Sequence, residues 1–390
     1  MLRVLTLSTL FPDASRPNFG IFVERQTRGL AALPDVELRV VAPIGLPPFP
    51  LDRLGHYRAL ASLPRREQWR GLDVRRPRFT VLPGTGGRFH AGALIRALTP
   101  LLSDMRTAFP FDIIDTEFFF PDGPAAVALG RRFGVPVSIK ARGADIHHWG
   151  HAPATAAQVV QAGRDADGLL AVSDAMRDDM ASLGIRADRV AVHRTGIDRS
   201  RFHPRDRCAE KARLGVTGPL ILSVGALIPR KGHDVVIDAV ARLPGTTLLI
   251  AGEGPERPAL EERIAEAGLG ERVQLLGAVP HGELPALFAA ADVMALASAS
   301  EGLANVWVEA LASGTPIVIT PAGGARETVD RPAAGRIAER TPEDFASAIA
   351  EVLLDPPDPG AVAAAAERFS WETNAMQLRD HLAQLVEARR

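Results

Sequence analysis

One cysteine, Cys208, stands in 390 residues. A lone thiol rules out an internal disulfide framework and a cysteine-based zinc cage, and it fits a reducing cytoplasm. Long apolar runs are also missing. None approaches the roughly 20 residues that a membrane-spanning helix requires. The opening MLRVLTLSTLF has neither a basic leader nor a small-residue cleavage site, and it is expected to form a first buried strand. Lysine is scarce, with three residues against 42 arginines. That skew reads as coding bias, so the clustering of the arginines says more than their choice over lysine. No short-period repeat or low-complexity tract interrupts the chain.

What is present is a long, apolar-rich chain with uneven charge. The length exceeds one ordinary core and predicts two domains, and the 46% hydrophobic content fits a folded enzyme. Residues 1–110 carry 16 Arg against 8 acids, although the net charge of the whole is −1. Residues 52–78 alone hold eight Arg and three acids, interleaved with Tyr57 and Trp69. Short apolar runs alternate with amphipathic stretches. LRVLTL (2–7), VELRVVAP (36–43), FDIID (111–115), VPVSIK (135–140), GLLAVS (168–173) and RVAVH (189–193) read as strands of a first half. LILSV (220–224), TLLIAG (247–252), VQLLG (273–277), VMALA (293–297) and PIVIT (316–320) read as strands of a second. Buried runs flanked by helices predict α/β domains with parallel, doubly wound sheets. The polar segment 195–215 is the expected hinge. Ligands in such sheets sit beyond the carboxyl ends of the strands, which predicts a cleft between the two domains.

Two loops carry the chemistry. In VGALIPRKGHD (224–234) a strand ends, Gly225 allows a tight turn, and Arg230, Lys231 and Gly232 precede a helix. Cations beside a glycine at a helix start suit a phosphate, because backbone N–H groups and the helix dipole add to the side-chain charge. Alone, the stretch also reads as a solvated loop. In SEGLANVWVEALASGTP, Glu301 precedes a helix and Glu309 lies within it, with Asn305 as the expected N-cap and the helix expected over 306–313. A carboxylate accepts hydrogen bonds from vicinal diols, as ribose and hexose offer. The alternative is a turn acid and an exposed helix acid. Both loops follow strands of the same second sheet.

With these motifs in hand, the chain resembles glycosyltransferase family 4, with the GT-B fold of two Rossmann-like domains facing across a cleft. FPDASRPNFGIFVERQ (11–26), RGADI (142–146), LLAVSDAMRDDM (169–180), GIDRSRFHP (196–204), IAGEGPER (250–257) and GGARE (323–327) match as well, so the likeness spans nearly the whole length. It implies an acceptor-side domain over 1–197, a nucleotide-sugar-binding domain over 198–365, and a terminal segment 366–390 whose helix crosses back to the first domain. It assigns Arg230 and Lys231 to the nucleotide diphosphate, Glu309 to the ribose and Glu301 to the donor hexose. The backbone of Gly302, Leu303, Ala304 and Asn305 is assigned to the sugar and distal phosphate. Gly20 would admit the main chain to that diphosphate, and the base would rest near Gly252, Gly254 and Val279. Two positions depart from the family. Ala226 stands where an Arg is common, with Arg230 expected to supply the cation. Arg142-Gly143 stands where a His-Gly pair is common, near the sugar's O6. Arg142 there raises the idea of a uronic acid donor; the alternative is a contact with phosphate or a neighbouring carboxylate.

The resemblance implies transfer of a hexose-type sugar, with retention, from a nucleotide donor to a lipid-linked or glycan acceptor in envelope or exopolysaccharide synthesis. A UDP-sugar is favoured over a GDP-sugar, and neither a cofactor nor a metal is expected. DAD (165–167) reads as a helix end. HHWGH (147–151) reads as a loop lining the cleft, with zinc as its alternative. Asp145 and His147 are expected near donor or acceptor, and Glu117 and Asp122 near the acceptor. The basic segment 52–78 predicts attachment to an anionic inner membrane face, against a plain solvated surface. A nucleotide-sugar 2-epimerase and a non-catalytic sugar-binding partner remain as rivals. A nicotinamide dehydrogenase does not fit, since no G-x-G-x-x-G follows the first strand, and nucleic-acid binding has no motif behind it.

Overall fold

The structure, a computed structural model, describes residues 1–389. It divides into two units, one formed by Met1–Gly196 with the segment from Trp371 onward, the other by Ile197–Ser370. The sequence reading put the divisions after 197 and 365. Two backbone ties account for the difference: Ile197 N–H donates to the Phe369 carbonyl at 3.0 Å, and Ile197 bridges to Ser370, so both crossing segments belong to the second unit.

The first unit contains β1 (Leu2–Leu7), β2 (Val36–Val41), β3 (Ile44–Leu46), β4 (Arg66–Trp69), β5 (Leu72–Arg75), β6 (Arg78–Thr80), β7 (Ile113–Thr116), β8 (Val137–Ala141), β9 (Gly168–Ala171) and β10 (Val190–Val192). Eight of these form a sheet in the order β10-β9-β8-β7-β1-β2-β5-β4, and β3 pairs with β6 outside it. Central pairs are parallel, as in Val4 against Ile113 and Ile139 against Leu169. Every residue of β7, β8 and β9 is buried, which explains why these strands read as continuous apolar runs rather than alternating ones. The helix Trp371–Ala388 closes one face. Its Ala375, Leu378, Leu382 and Val386 recur at helical spacing, and the three larger side chains pack with Val4, Leu30, Ile113 and Leu170.

The basic stretch becomes structure rather than an open loop. It folds as the helix Gly55–Ser62 and the antiparallel hairpin β4–β5 at the sheet edge. Several of its cations are spent internally: Arg66 pairs with Asp73, Arg70 with Glu24, and the buried Arg76 with Glu67.

The second unit contains β11 (Leu220–Val224), β12 (Thr247–Ala251), β13 (Val273–Gly277), β14 (Val293–Leu296), β15 (Ile317–Ile319) and β16 (Gly335–Ile337). They run in the order β13-β12-β11-β14-β15-β16, and every pair is parallel. Renumbered within the unit, this is the 3-2-1-4-5-6 order of a Rossmann sheet, whose direction of winding reverses between β11 and β14. Ligands of such sheets bind at that reversal, because the two diverging loops leave a crevice there. The loops that follow β11 and β14 are the two that carry Lys231 and Glu301. Each strand read from the sequence is present; β3, β6, β16 and the β4–β5 hairpin are additions.

Candidate functional site

After β11 the chain turns at Gly225, runs to a short 3-10 turn at Pro229–Lys231, and enters the helix His233–Ala241. After β14 it passes Ser300 and Glu301 and enters the helix Asn305–Ala312. The two loops are laced together. Ala299 N–H donates to the Arg230 carbonyl at 2.7 Å, and Arg230 Nη1 donates to the Ser300 carbonyl at 2.6 Å. Arg340 reaches both loops, giving Nη2 to Pro229 O at 2.7 Å and Nε to Ala297 O at 2.8 Å. Nothing in the sequence pattern marked Arg340, since its partners lie 43 and 111 residues away.

The cations converge on one acid. Lys231 Nζ is ion-paired with Oε1 of Glu301, and Arg230 Nη1 lies 3.5 Å from Oε2. Glu301 is 9% exposed, so it depends on that pairing, whereas Arg230 is 43% exposed and can swing to a ligand. The helix beside it begins one residue earlier than expected. Ala304 takes the extended conformation of an N-cap, and Asn305 is the first helical residue rather than the cap. No side chain caps this end, and unclaimed N–H groups at a helix start favour an anion. Gly302, Leu303 and Ala304 are buried, and Gly324 N–H donates to the Gly302 carbonyl at 2.8 Å.

Glu309 is neither free nor exposed. Its Oε1 lies 2.8 Å from His281 Nε2 and its side chain is 5% exposed. His281 follows β13 beside Val279, which is half-buried, and the sequence reading passed it over. Gly252 is required by close approach: with φ +158°, a Cβ there would lie 1.8 Å from the Gly225 carbonyl oxygen. Gly254 precedes the helix Arg257–Glu266. Beneath the β11 loop His233 is buried, with Nδ1 3.0 Å from Ser223 Oγ, and burial pushes its pKa down to about 4, so it is uncharged at neutral pH.

In the first unit the candidate residues are held by partners within the unit. Gly20 has φ +66°, and a Cβ there would meet the Leu10 carbonyl oxygen at 2.5 Å, so its own loop already demands glycine. Arg142 holds a neighbouring carboxylate, the alternative to a uronic acid donor. Its Nη2 is ion-paired with Glu117 and its Nε donates to the Glu117 carbonyl at 2.9 Å. Glu117, Asp122 and Asp145, expected near donor or acceptor, are all 0% exposed. Asp122 accepts from Thr9 N–H at 2.7 Å and Thr9 Oγ1 at 3.1 Å, and burial pushes its carboxyl up to about 7. Asp145 accepts from the backbone N–H groups of Phe119, Arg142 and Gly143 at 2.7–3.1 Å and so fixes the turn into the helix Ala144–His147. His147 alone of the four remains partly exposed, with Nε2 2.8 Å from Asp179. His148 stacks edge-on with Trp149, and no group of metal-ligating side chains gathers among the described residues.

These residues belong to a buried polar network. Gln26 Oε1 accepts from Lys140 Nζ at 2.7 Å and Arg142 Nη2 at 3.3 Å, while its Nε2 donates to Glu117. Lys140 Nζ also lies 2.7 Å from His193 Nδ1, whose Nε2 is 2.9 Å from the Asn374 carbonyl. That carbonyl can only accept, so Nε2 bears the proton and Nδ1 accepts from Lys140. Burial pushes the Glu117 carboxyl up, but Arg142 and Lys140 outweigh it and hold it below its ordinary value. Burial, with Glu117 beside it, holds Asp115 well above. Burial, helped by Arg142, pushes Lys140 down to about 7 from 10.5.

A pH dependence follows. Between those two values the folded chain binds fewer protons at Lys140 than the unfolded chain, so stability from this group is lost as pH falls toward 7 and recovered as it rises. Urea midpoints of wild type and Lys140→Met at several pH values from 7 to 10 check it. The wild-type advantage is expected to grow with pH, by at most about 1.4 kcal/mol per unit; a constant or shrinking difference would contradict the assignment.

Comparisons with known proteins bear on the family and the fold. The family model described as "Glycosyl transferases group 1" matches residues 205–369, and that described as "Glycosyl transferase 4-like domain" matches residues 20–196. Over 299 residues the chain is 31% identical to a GDP-mannose-dependent alpha-(1-6)-phosphatidylinositol monomannoside mannosyltransferase of Mycolicibacterium smegmatis, covering 71% of this chain and 78% of that one. In fold it is similar to the sucrose-phosphate synthase from Thermosynechococcus elongatus, with a TM-score of 0.84 at 21% identity over 100% of both chains. It is similar also to HepE of Anabaena, solved with UDP, with a TM-score of 0.75 at 22% identity over 98% of this chain and 100% of that one.

Proposed function

This chain belongs to the family-4 type of glycosyltransferases with the GT-B fold, and from that membership we propose that it moves a hexosyl group, with retention, from a nucleoside diphosphate donor to a lipid-linked or glycan acceptor. The observation that carries the donor assignment is the convergence of Lys231 and Arg230 on Glu301 at the sheet reversal, beside an uncapped helix start. In this reading the donor's diphosphate takes the two cations, and Glu301, relieved of them, accepts from sugar hydroxyls. The backbone of Gly302–Asn305 faces the sugar and distal phosphate, and Glu309 takes the ribose.

The reaction breaks the bond from the anomeric carbon to the diphosphate oxygen and forms one to an acceptor hydroxyl oxygen. The electron pair of the broken bond leaves with the diphosphate, where Lys231, Arg230 and the helix start stabilise the growing charge. The acceptor proton passes to that phosphate on the same face of the sugar, which retains configuration. Glu301 then positions the sugar and is not a nucleophile. The donor unit is Ile197–Ser370, and the acceptor falls to the other. GDP-mannose stands ahead of the UDP-sugars favoured on the sequence, because the 31% relative is named for it. Incubating the enzyme with GDP- and UDP-sugars, with and without a membrane lipid extract, tests the reading. Transfer to an extractable acceptor supports it. Donor epimerised without an acceptor, or no binding of any nucleotide sugar, would sink it.

Membrane attachment is supported by the segment that contains and flanks the helix Gly55–Ser62. Phe49 and Leu54 are 71% and 59% exposed, and Arg53, whose guanidinium lies 5.0 Å from the Phe49 ring centre, Arg58 and Arg65 are exposed without a carboxylate partner among the described residues. Apolar tips set among unpaired cations suit an anionic bilayer surface. No described helix is long and apolar enough to cross a membrane. Flotation with vesicles containing anionic lipid should weaken about fivefold for each of Arg53, Arg58 and Arg65 changed to Glu. Flotation indifferent to all three would reject the surface.

A further inference from the structure

The chain leaving β13 passes Val279, the position proposed for the base, and two residues later presents His281 to Glu309 at 2.8 Å. Both side chains are largely buried, 15% and 5% exposed. The imidazole is braced from a third segment. Its ring meets the buried Phe202 edge-on, with centroids 5.3 Å apart and planes at 72°, and Arg201 Nη2 donates to the His281 carbonyl at 3.3 Å. Arg201 and Phe202 lie in GIDRSRFHP, a stretch that falls in the expected hinge and matches the family but was given no role at the site. Three pieces of chain distant in sequence therefore meet at one hydrogen bond, all within the second unit.

We propose that His281 is a positioning residue for the donor's nucleoside: its hydrogen bond to Glu309 aims that carboxylate at the ribose hydroxyls and ties it to the loop that takes the base. The proposal rests on the reading of Glu309 as the ribose ligand. A glutamate side chain has several rotamers of similar energy, and restricting it before the ligand arrives removes that cost from binding. A carboxylate carries about four lone-pair sites, so it can accept from the ribose without displacing the histidine. Because the same bond joins the base loop to the ribose acid, loosening it weakens the nucleoside as a whole and leaves the reacting bond nearly untouched.

The test uses the full-length enzyme as wild type, His281→Ala, His281→Gln and Glu309→Gln. Each is titrated with GDP and 2′-deoxy-GDP, and with UDP and 2′-deoxy-UDP, and the donor KM and kcat are measured. His281→Ala should raise donor KM about tenfold and lose most of the preference for ribose over deoxyribose, approaching Glu309→Gln. Its kcat should change far less than its KM. His281→Gln, whose amide nitrogen falls near the place of Nε2, should restore both. Should His281→Ala not fold, His281→Asn, too short to reach Glu309, should reproduce the defect. If Glu309→Gln loses the ribose preference while the shortened His281 variants keep it, the positioning role is overturned and the ribose assignment stands. If Glu309→Gln itself keeps the preference, both fall.

Discussion

Lys231→Ala is expected to lower kcat about 100- to 1,000-fold, the usual cost of losing one preorganised donor to a developing anion. Lys231 has the requirements of such a donor. It leaves a short 3-10 turn that ends at Gly232, its side chain is only 13% exposed, and it already faces a carboxylate, so a cation is held in place before any ligand arrives. Holding Lys231 there in advance spares reorganisation when charge develops. The fold should tolerate the change, because Arg230 stays 3.5 Å from Glu301 and still neutralises it. Rate and melting temperature measured together separate the two effects. A large fall in kcat with little change in melting temperature is expected. A variant as fast as wild type would remove Lys231 from the mechanism. Lys231→Arg should recover part of the rate, since charge returns but the longer, planar group cannot occupy the same point.

Glu117→Leu should destabilise the first unit by about 3–5 kcal/mol, because it strands the guanidinium of Arg142 in a site that excludes water. The acceptor role read from the sequence predicts something different: a poorer KM for acceptor with stability unchanged. Urea unfolding of the variant decides between them. The double variant Glu117→Leu/Arg142→Leu sharpens the result. Removing both charges should restore much of the loss, so the two single effects should not add. Additive losses would mean that the pair is not the unit that matters. Lys140 and Asp115 stay behind in either case, which is why full recovery is not expected.

The contrast between Lys231 and Glu117 shows what a linear sequence can and cannot reveal. Lys231, Gly232, Glu301 and Glu309 lie on two strand–loop–helix units, and what marks them as candidates for one ligand site is local order: a strand end, a turn, a helix start. Parallel strands bring such loops to one end of the sheet, and the reversal between β11 and β14 brings these two together. The start of the helix at Asn305 was missed by one residue because the cap is made by the backbone of Ala304, without any side-chain signal. Glu117, Asp122 and Asp145 also stand at strand ends, and by that local rule they looked available. Their burial is decided by partners far along the chain: Arg142 lies 25 residues from Glu117, and Thr9 lies 113 residues from Asp122. No periodicity encodes such pairings. The same holds for His281, 28 residues from Glu309, in a loop where a histidine invites no comment. The basic segment was legible as charge but not as shape, because cross-strand pairs such as Arg66–Asp73 only form once the hairpin does.

In the proposed reaction Lys231 and Arg230 hold the diphosphate of a nucleotide donor next to Glu301. Calorimetric titration of GDP and UDP into wild type and into the double variant Arg230→Ala/Lys231→Ala addresses it most directly. Wild type should bind at least one of the two nucleotides, with affinity that falls as salt rises, and the folded double variant should lose about a hundredfold or more, at roughly 1.5–3 kcal/mol for each charged hydrogen bond removed. Equal affinity in the two proteins would contradict the claim.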